Sequence, residues 1–161
     1  MPPGAVLHDV APPTMCPNEH TFTVVFPAAA SSLDLPFLGA VHTLFVESGF
    51  GPDVYAGTAL VDAYMKNGEY GDALRTFLDM EGAGVEPNEV TVASVLPAIA
   101  NLGALEIGER IANYSREKGF MHNLYVSNAV LEMYARCGEV DTARRVFDEI
   151  RGGGICVHGI P

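Results

Sequence analysis

A 35-residue step constrains this chain more than any other feature. Gly49, Gly84 and Gly119 are separated by it, as are Asn18, Asp53, Asn88 and Asn123, and Gly68, Gly103 and Gly138 keep the same interval. A fixed period between about 20 and 50 residues marks a stacked array of one supersecondary unit rather than a single globular core. The unit is clearest from Val54 to Asn88. Tyr55, Ala59, Leu60, Ala63 and Tyr64 make an apolar stripe at steps of three and four. A turn follows at Asn67-Gly68, and Ala73, Leu74, Phe77 and Met80 make a second stripe before the exit through Gly84 and Pro87-Asn88. Two short amphipathic helices cannot bury both stripes alone, so neighbouring copies must cover them. The pattern predicts an all-α fold, a right-handed α-solenoid of about four 35-residue helix-turn-helix repeats.

The chain divides accordingly. Residues 1–17 carry five prolines and no helical periodicity, and read as an irregular N-terminal lead-in. The repeat array is expected over 18–151, with repeats at 19–53, 54–88, 89–123 and 124–151, and a flexible tail over 152–161. In the first repeat the helices are expected near His20–Ala30 and Leu35–Ser48. Asn18 serves as cap, Glu19 lies in the first turn and Gly49 closes the second helix in a left-handed conformation. Pro27 and Pro97 hold the same place two periods apart, Thr21 pairs with Thr91, and Val25 with Val95. The second and fourth repeats match each other in turn: Tyr55, Ala59, Tyr64, Gly68, Glu69, Ala73, Arg75 and Phe77 find Tyr125, Ala129, Tyr134, Gly138, Glu139, Ala143, Arg145 and Phe147. A 70-residue alternation thus overlies the 35-residue period. Tyr64, Tyr134, Phe77 and Phe147 lie at helical spacing and are expected in the core. Neither the lead-in nor the tail carries a polar capping helix, so both ends of the array read as cut.

Composition narrows the functional classes. Apolar residues make up 48% of the chain and charged ones 18%, which excludes a disordered polyelectrolyte. No apolar run approaches the roughly 20 residues of a membrane-spanning helix, so no membrane partner is expected. The net charge is −11 and no Lys or Arg precedes Lys66, so any polyanion surface is local and towards the C-terminal half. Arg144-Arg145 reads as a solvated face. Cys16, Cys137 and Cys156 form no C-x-x-C and are expected as free thiols. The five histidines form no ligand cluster, Gly152-Gly153-Gly154 lacks the Lys-Ser/Thr of a phosphate loop, and the H-x-E with C-x-x-C pattern of zinc deaminases does not occur. No metal, no cofactor and no enzymatic activity are expected. The N-terminus has neither a secretory signal nor an Arg- and Ser-rich transit segment.

Four segments resemble the pentatricopeptide repeat family of plants: PNEHTFTVVFPAAASSLDLPFLGAVHTLFVESGF, PDVYAGTALVDAYMKNGEYGDAL, GVEPNEVTVASVLPAIANLGALEIGERI and LYVSNAVLEMYARCGEVDTARRVFDEI. The resemblance covers residues 17–151. The alternation is similar to the subclass that mixes standard, long and short repeats, found in organellar RNA-editing factors. Tetratricopeptide repeats, with a period of 34, fit the landmarks less well. Repeat 2 begins like a short repeat and ends like a standard one.

The resemblance implies single-stranded RNA binding, one nucleotide per repeat, in organellar RNA processing or modification in a mitochondrion or chloroplast, with other helical-repeat or editing proteins as partners. It places the base-reading pairs at Thr23 with Asp53, Thr58 with Asn88, and Ala93 with Asn123; Asn128 begins a fourth pair without a second member. It implies guanine for Thr23 with Asp53 and adenine for Thr58 with Asn88, the latter being the favoured reading pair. His20, Tyr55, Val90 and Tyr125 hold the place that flanks each base, where the tyrosines can stack. Asp53, Asn88 and Asn123 also have the chemistry of helix caps. Two other functions stay open: a helical-repeat protein–protein adaptor, favoured by the acidic balance, and a gene fragment without activity.

Overall fold

Asn18 and Asn88 each close a capping box, the arrangement that sets the start of every second helix pair. The Asn18 side-chain carbonyl accepts from the Thr21 backbone N–H at 2.9 Å, and the Asn18 N–H donates to the Thr21 hydroxyl at 3.1 Å. Asn88 and Thr91 repeat both bonds 70 residues later. Asp53 and Asn123, at the intervening starts, accept only from the N–H two residues on, Tyr55 and Tyr125. The 70-residue alternation is therefore a difference in how helices begin. Each cap answers amide groups that a helix start leaves unsatisfied, worth about 1 kcal/mol.

The computed structural model describes residues 17–49 and 53–152. Among them are α1 (Glu19–Ser31), α2 (Leu35–Glu47), α3 (Val54–Lys66), α4 (Tyr70–Gly82), α5 (Glu89–Leu102), α6 (Leu105–Glu117), a 3-10 turn (Phe120–His122), α7 (Leu124–Arg136) and α8 (Val140–Gly152). The first two helices differ from their expected bounds by one residue at each end that moves. Helices α1 and α5 run through Pro27 and Pro97 without interruption. In each, a side chain four residues on bonds the proline carbonyl: the Ser31 hydroxyl at 2.9 Å and the Asn101 amide at 2.8 Å. The lead-in, apart from Pro17, and the tail beyond Gly152 lie outside the described residues, as do Phe50, Cys16 and Cys156. Cys137 is a free thiol.

The odd helices form one row, α1 on α3, α3 on α5 and α5 on α7, and the even helices lean on that row from one side. This is an all-α helical-repeat solenoid. Its core runs along the row: Phe22, Phe26, Leu60, Val61, Val92, Val95, Val126 and Val130 are all at most 1% exposed. In the first pair the rings of Phe22 and Phe26 meet Phe45 edge-on, at 4.9 and 5.6 Å. Helix turns between pair members close through a left-handed residue. Gly103 does so at φ 67°, where any other L residue carries a steric cost.

The core expectation holds for Tyr64, Tyr134 and Phe77 and fails for Phe147. Phe77 is 1% exposed and its 70-residue counterpart is 52% exposed. The cause is stacking: α5 packs on α4 and covers Phe77, whereas no described element follows α8. Many of the basic residues join elements or neighbouring turns. Arg110 of α6 holds Glu81 of α4 in a two-pronged bond at 3.0 and 2.8 Å, and Arg136 reaches Asn101, 35 residues away, at 3.3 Å.

Candidate functional site

The N-terminal ends of the odd helices hold the residues expected to meet a ligand. His20, Tyr55, Val90 and Tyr125 occupy the same place on α1, α3, α5 and α7, and all four are exposed. Tyr55 is 68% and Tyr125 82% exposed, which for a large apolar ring means that its face is offered to solvent. Their backbone amides bond the preceding caps, so each ring starts from an anchored position.

The structure brings the first expected pair together. Glu19, His20, Thr23, Asp53 and Tyr55 line one open cleft of about 620 Å³ between the starts of α1 and α3. The Thr23 hydroxyl donates to the Glu19 carbonyl at 2.9 Å, leaving its lone pairs to the cleft. One Asp53 oxygen accepts from Tyr55 N–H at 3.3 Å; the second has no partner among the described residues. Glu19 and Asp53 form no ion pair among the described residues, so the cleft is acidic and offers no cation to a phosphate. Its chemistry is that of hydrogen-bond acceptors beside an aromatic ring.

The second expected pair is arranged differently. Thr58 is 7% exposed, and its hydroxyl lies 2.6 Å from the Val54 carbonyl and 2.8 Å from the Thr91 hydroxyl. Thr91 in turn donates to the Asn88 side-chain carbonyl, from its N–H and its hydroxyl, both at 2.9 Å. Thr58 thus reaches Asn88 through Thr91, and the Asn88 oxygen is saturated while its amide nitrogen is not. Asn123 is engaged at both ends: its oxygen accepts from Tyr125 N–H at 2.9 Å and its amide donates to Glu89 at 2.8 Å. Ala93 is half-buried, and Asn128 is exposed, its side chain without a hydrogen bond among the described residues. Sequence reasoning passed over Thr91, Glu89 and Glu19 as site residues. The signal for Thr91 was present, as an Asn followed three residues on by Thr at both box positions.

An α-solenoid whose first helices each start at an Asn or Asp cap, with an exposed residue two positions on, is a helical-repeat protein. The family models agree. A PPR repeat family model matches residues 52–101 and a PPR repeat model matches residues 125–155. This chain belongs to the pentatricopeptide repeat (PPR) family. Among similar proteins of Arabidopsis thaliana, the pentatricopeptide repeat-containing protein At5g08510 is 34% identical over 83% of this chain and 39% of its own length. The putative pentatricopeptide repeat-containing protein At3g23330 is 30% identical over 83% of this chain and 23% of its own length. The chain thus spans well under half of either relative. Among solved structures, the pentatricopeptide repeat protein PPR10 in complex with an 18-nt psaJ RNA element superposes with a TM-score of 0.66 at 22% identity, over 86% of this chain and 20% of that one. PPR10 from maize matches the same shares with a TM-score of 0.52 at 28% identity.

Proposed function

We propose that this chain binds single-stranded RNA along the row of odd-helix N-termini, with bases seated between successive exposed residues. The observation that carries the reading is the cleft that gathers Thr23, Asp53, His20 and Tyr55 from two helices. A base lying there stacks on Tyr55, and another on Tyr125, each worth about 1–3 kcal/mol. Asp53 offers an acceptor only, which suits the N1–H and N2–H edge of guanine. Asn88, its oxygen held by Thr91, offers its amide N–H groups, which suit the N1 acceptor of adenine. Thr58 orients Thr91 rather than touching the base. Asn123 is tied to Glu89 and Ala93 has no polar group, so the third repeat does not discriminate. Asn128 offers a further amide. The similarity to a protein crystallised with an RNA element supports this reading.

The proposed setting is RNA processing or modification in a chloroplast or mitochondrion, in the subclass of alternating repeats and alongside other helical-repeat or editing proteins. Relatives named chloroplastic and mitochondrial support the organelle. The repeat boundaries at 53, 88 and 123 are proposed to be the units of nucleotide reading. The role is binding, without catalysis by this segment.

The test is fluorescence anisotropy of a labelled random single-stranded RNA pool at low and near-physiological salt. Saturable binding that weakens with salt, and that falls by about thirtyfold or more in a Tyr55→Ala, Tyr125→Ala double variant, is expected. A folded, helical protein that binds no RNA at low salt overturns the reading. The net charge of −11 favours one alternative, a protein–protein adaptor, for which capture of a helical peptide would be insensitive to salt.

A further inference from the structure

Two clefts, 70 residues apart in sequence, lie on the even-helix side of the row. The first, about 320 Å³, is lined from α2 and α4 by His42, Phe45, Val46, Thr76, Asp79 and Met80, over a floor from α3. The second, about 250 Å³, is lined by Arg116 of α6, Tyr134 of α7, and Thr142, Arg145 and Glu149 of α8. The period aligns Arg116 with Val46, Tyr134 with Tyr64, Thr142 with Asp72, Arg145 with Arg75 and Glu149 with Asp79. Only two of these places, Val46 with Arg116 and Asp79 with Glu149, line both clefts, and the linings differ in charge. The first is lined by one carboxylate, Asp79, and no guanidinium, whereas two guanidiniums face one carboxylate in the second.

The differences also strip partners from the second cleft. At the places 70 residues earlier, the Tyr64 hydroxyl meets His42 Nδ1 at 2.7 Å, and Arg75 pairs with Asp72 at 3.3 Å. Ala112 stands 70 residues on from His42, and Thr142 from Asp72, so Tyr134 and Arg145 lack those partners. Tyr134 is only 3% exposed, and its hydroxyl has no hydrogen bond among the described residues. Since no enclosed side-chain oxygen among those residues lacks a partner, the phenol oxygen reaches the surface, and the surface that Tyr134 lines is this cleft. A polar group at the tip of a nearly buried ring is an unfilled hydrogen-bonding position. Arg145 bonds Thr142 through one nitrogen, at 3.2 Å, leaving its other donors open. Arg116 is held loosely, by Glu149 at 3.6 Å and Asn113 at 3.4 Å.

We propose that the cleft between α6, α7 and α8 binds a small oxyanion of the phosphate-monoester class, received by Arg116, Arg145 and the Tyr134 hydroxyl. Two guanidiniums and a phenol from three helices suit a tetrahedral oxyanion, whose oxygens face several directions, better than a carboxylate, whose acceptor sites lie in one plane. Glu149 is half-exposed and yields Arg116 to the ligand. The site lies between α6, α8 and the C-terminal end of α7, away from the N-terminal row of Tyr55 and Tyr125, so it stands or falls independently of RNA binding.

The experiment is a ¹H–¹⁵N NMR titration of the full chain with sodium phosphate, against sodium chloride at equal ionic strength. Saturable shifts at Tyr134, Thr142, Arg145 and Glu149, half-complete near ~1 mM, are expected, with acetate at least ~3-fold weaker. Arg145→Gln should weaken binding ~10-fold and Tyr134→Phe ~3-fold, while Arg144→Gln, outside the cleft, leaves it unchanged. Shifts that follow ionic strength alone, that appear equally around Tyr64 and Arg75, or that Arg144→Gln reduces as much as Arg145→Gln overturn the proposal. Helicity by circular dichroism confirms that each variant folds; should Tyr134→Phe unfold, the Arg145→Gln and Arg144→Gln comparison decides alone.

Discussion

Thr58 and Thr91, 33 residues apart, join α3 to the start of α5 through a 2.8 Å bond between their hydroxyls. Thr91 is also the third residue of the α5 capping box, so one buried side chain serves both the cap and the contact between successive odd helices. Thr91→Val keeps the shape and removes the hydroxyl's bonds to Thr58 and Asn88, leaving the backbone Thr91 N–H on the Asn88 oxygen. It should cost about 2 kcal/mol, because it orphans the Asn88 N–H and the Thr58 hydroxyl contact together. Thr21→Val, at the exposed box on α1, should cost about 1 kcal/mol or less. Urea unfolding of both variants measures the difference, and equal costs would refute the bridging role.

The base-reading reading turns on Asp53. Asp53→Asn replaces an acceptor by a side chain with an added donor, so preference at one nucleotide should move from guanine towards adenine. Anisotropy with oligonucleotides differing at a single base reports it, and an unchanged preference would remove Asp53 from the site.

Leu33 sits one period before Gly68 and is in the left-handed region, at φ 53°, among positions otherwise held by glycine. Its side chain is 68% exposed, so little burial is lost on removing it. Relief of the left-handed strain, about 1–2 kcal/mol, outweighs the greater unfolded-state entropy of glycine. Leu33→Gly should therefore stabilise the chain by about 0.5–1 kcal/mol, seen as a rise in Tm. A fall in Tm would show that Leu33 packs usefully.

Burial pushes the His42 imidazole below its usual range, while Asp79 and Asp72 pull it back up in part. The unfolded chain therefore takes up the proton first on acidification. The stability due to neutral His42 is complete above about pH 6.5 and is lost as pH falls towards the depressed value. A neutral ring carrying its proton on Nε2 can accept from the Tyr64 hydroxyl through Nδ1; a protonated one cannot. Urea midpoints should fall between pH 7.5 and 5.5, and His42→Gln should flatten that fall. Identical pH profiles for the two proteins would dismiss His42 as the cause.

Phe77 and Phe147 hold equivalent places and unequal surroundings. Phe77→Ala should cost about 3–5 kcal/mol, and Phe147→Ala about 1 kcal/mol. Comparable losses in thermal unfolding would mean that Phe147 is covered in solution.

Much of this protein was written in its periodicity. Glycine at a 35-residue step, apolar stripes at three and four, and Asn or Asp at each repeat end together dictate helix pairs, their turns and their stacking, since each is a local or nearest-neighbour effect. The row at positions 20, 55, 90 and 125 came from the family resemblance; the apolar stripe had counted Tyr55 among the residues to be covered, and the structure leaves it 68% exposed, because it lies at the helix start beyond the packed faces. The sequence also held the Leu33 exception and the Asn-x-x-Thr box, but their weight shows only in the backbone and its bonds. Tertiary structure alone decided that Thr58 turns inward to Thr91, that Glu89 occupies the Asn123 amide, and that Phe147 stays uncovered while Phe77 does not. Those outcomes depend on which atoms of a neighbouring repeat come within bonding or packing distance, and a period specifies that a neighbour is there without specifying which of its groups it offers.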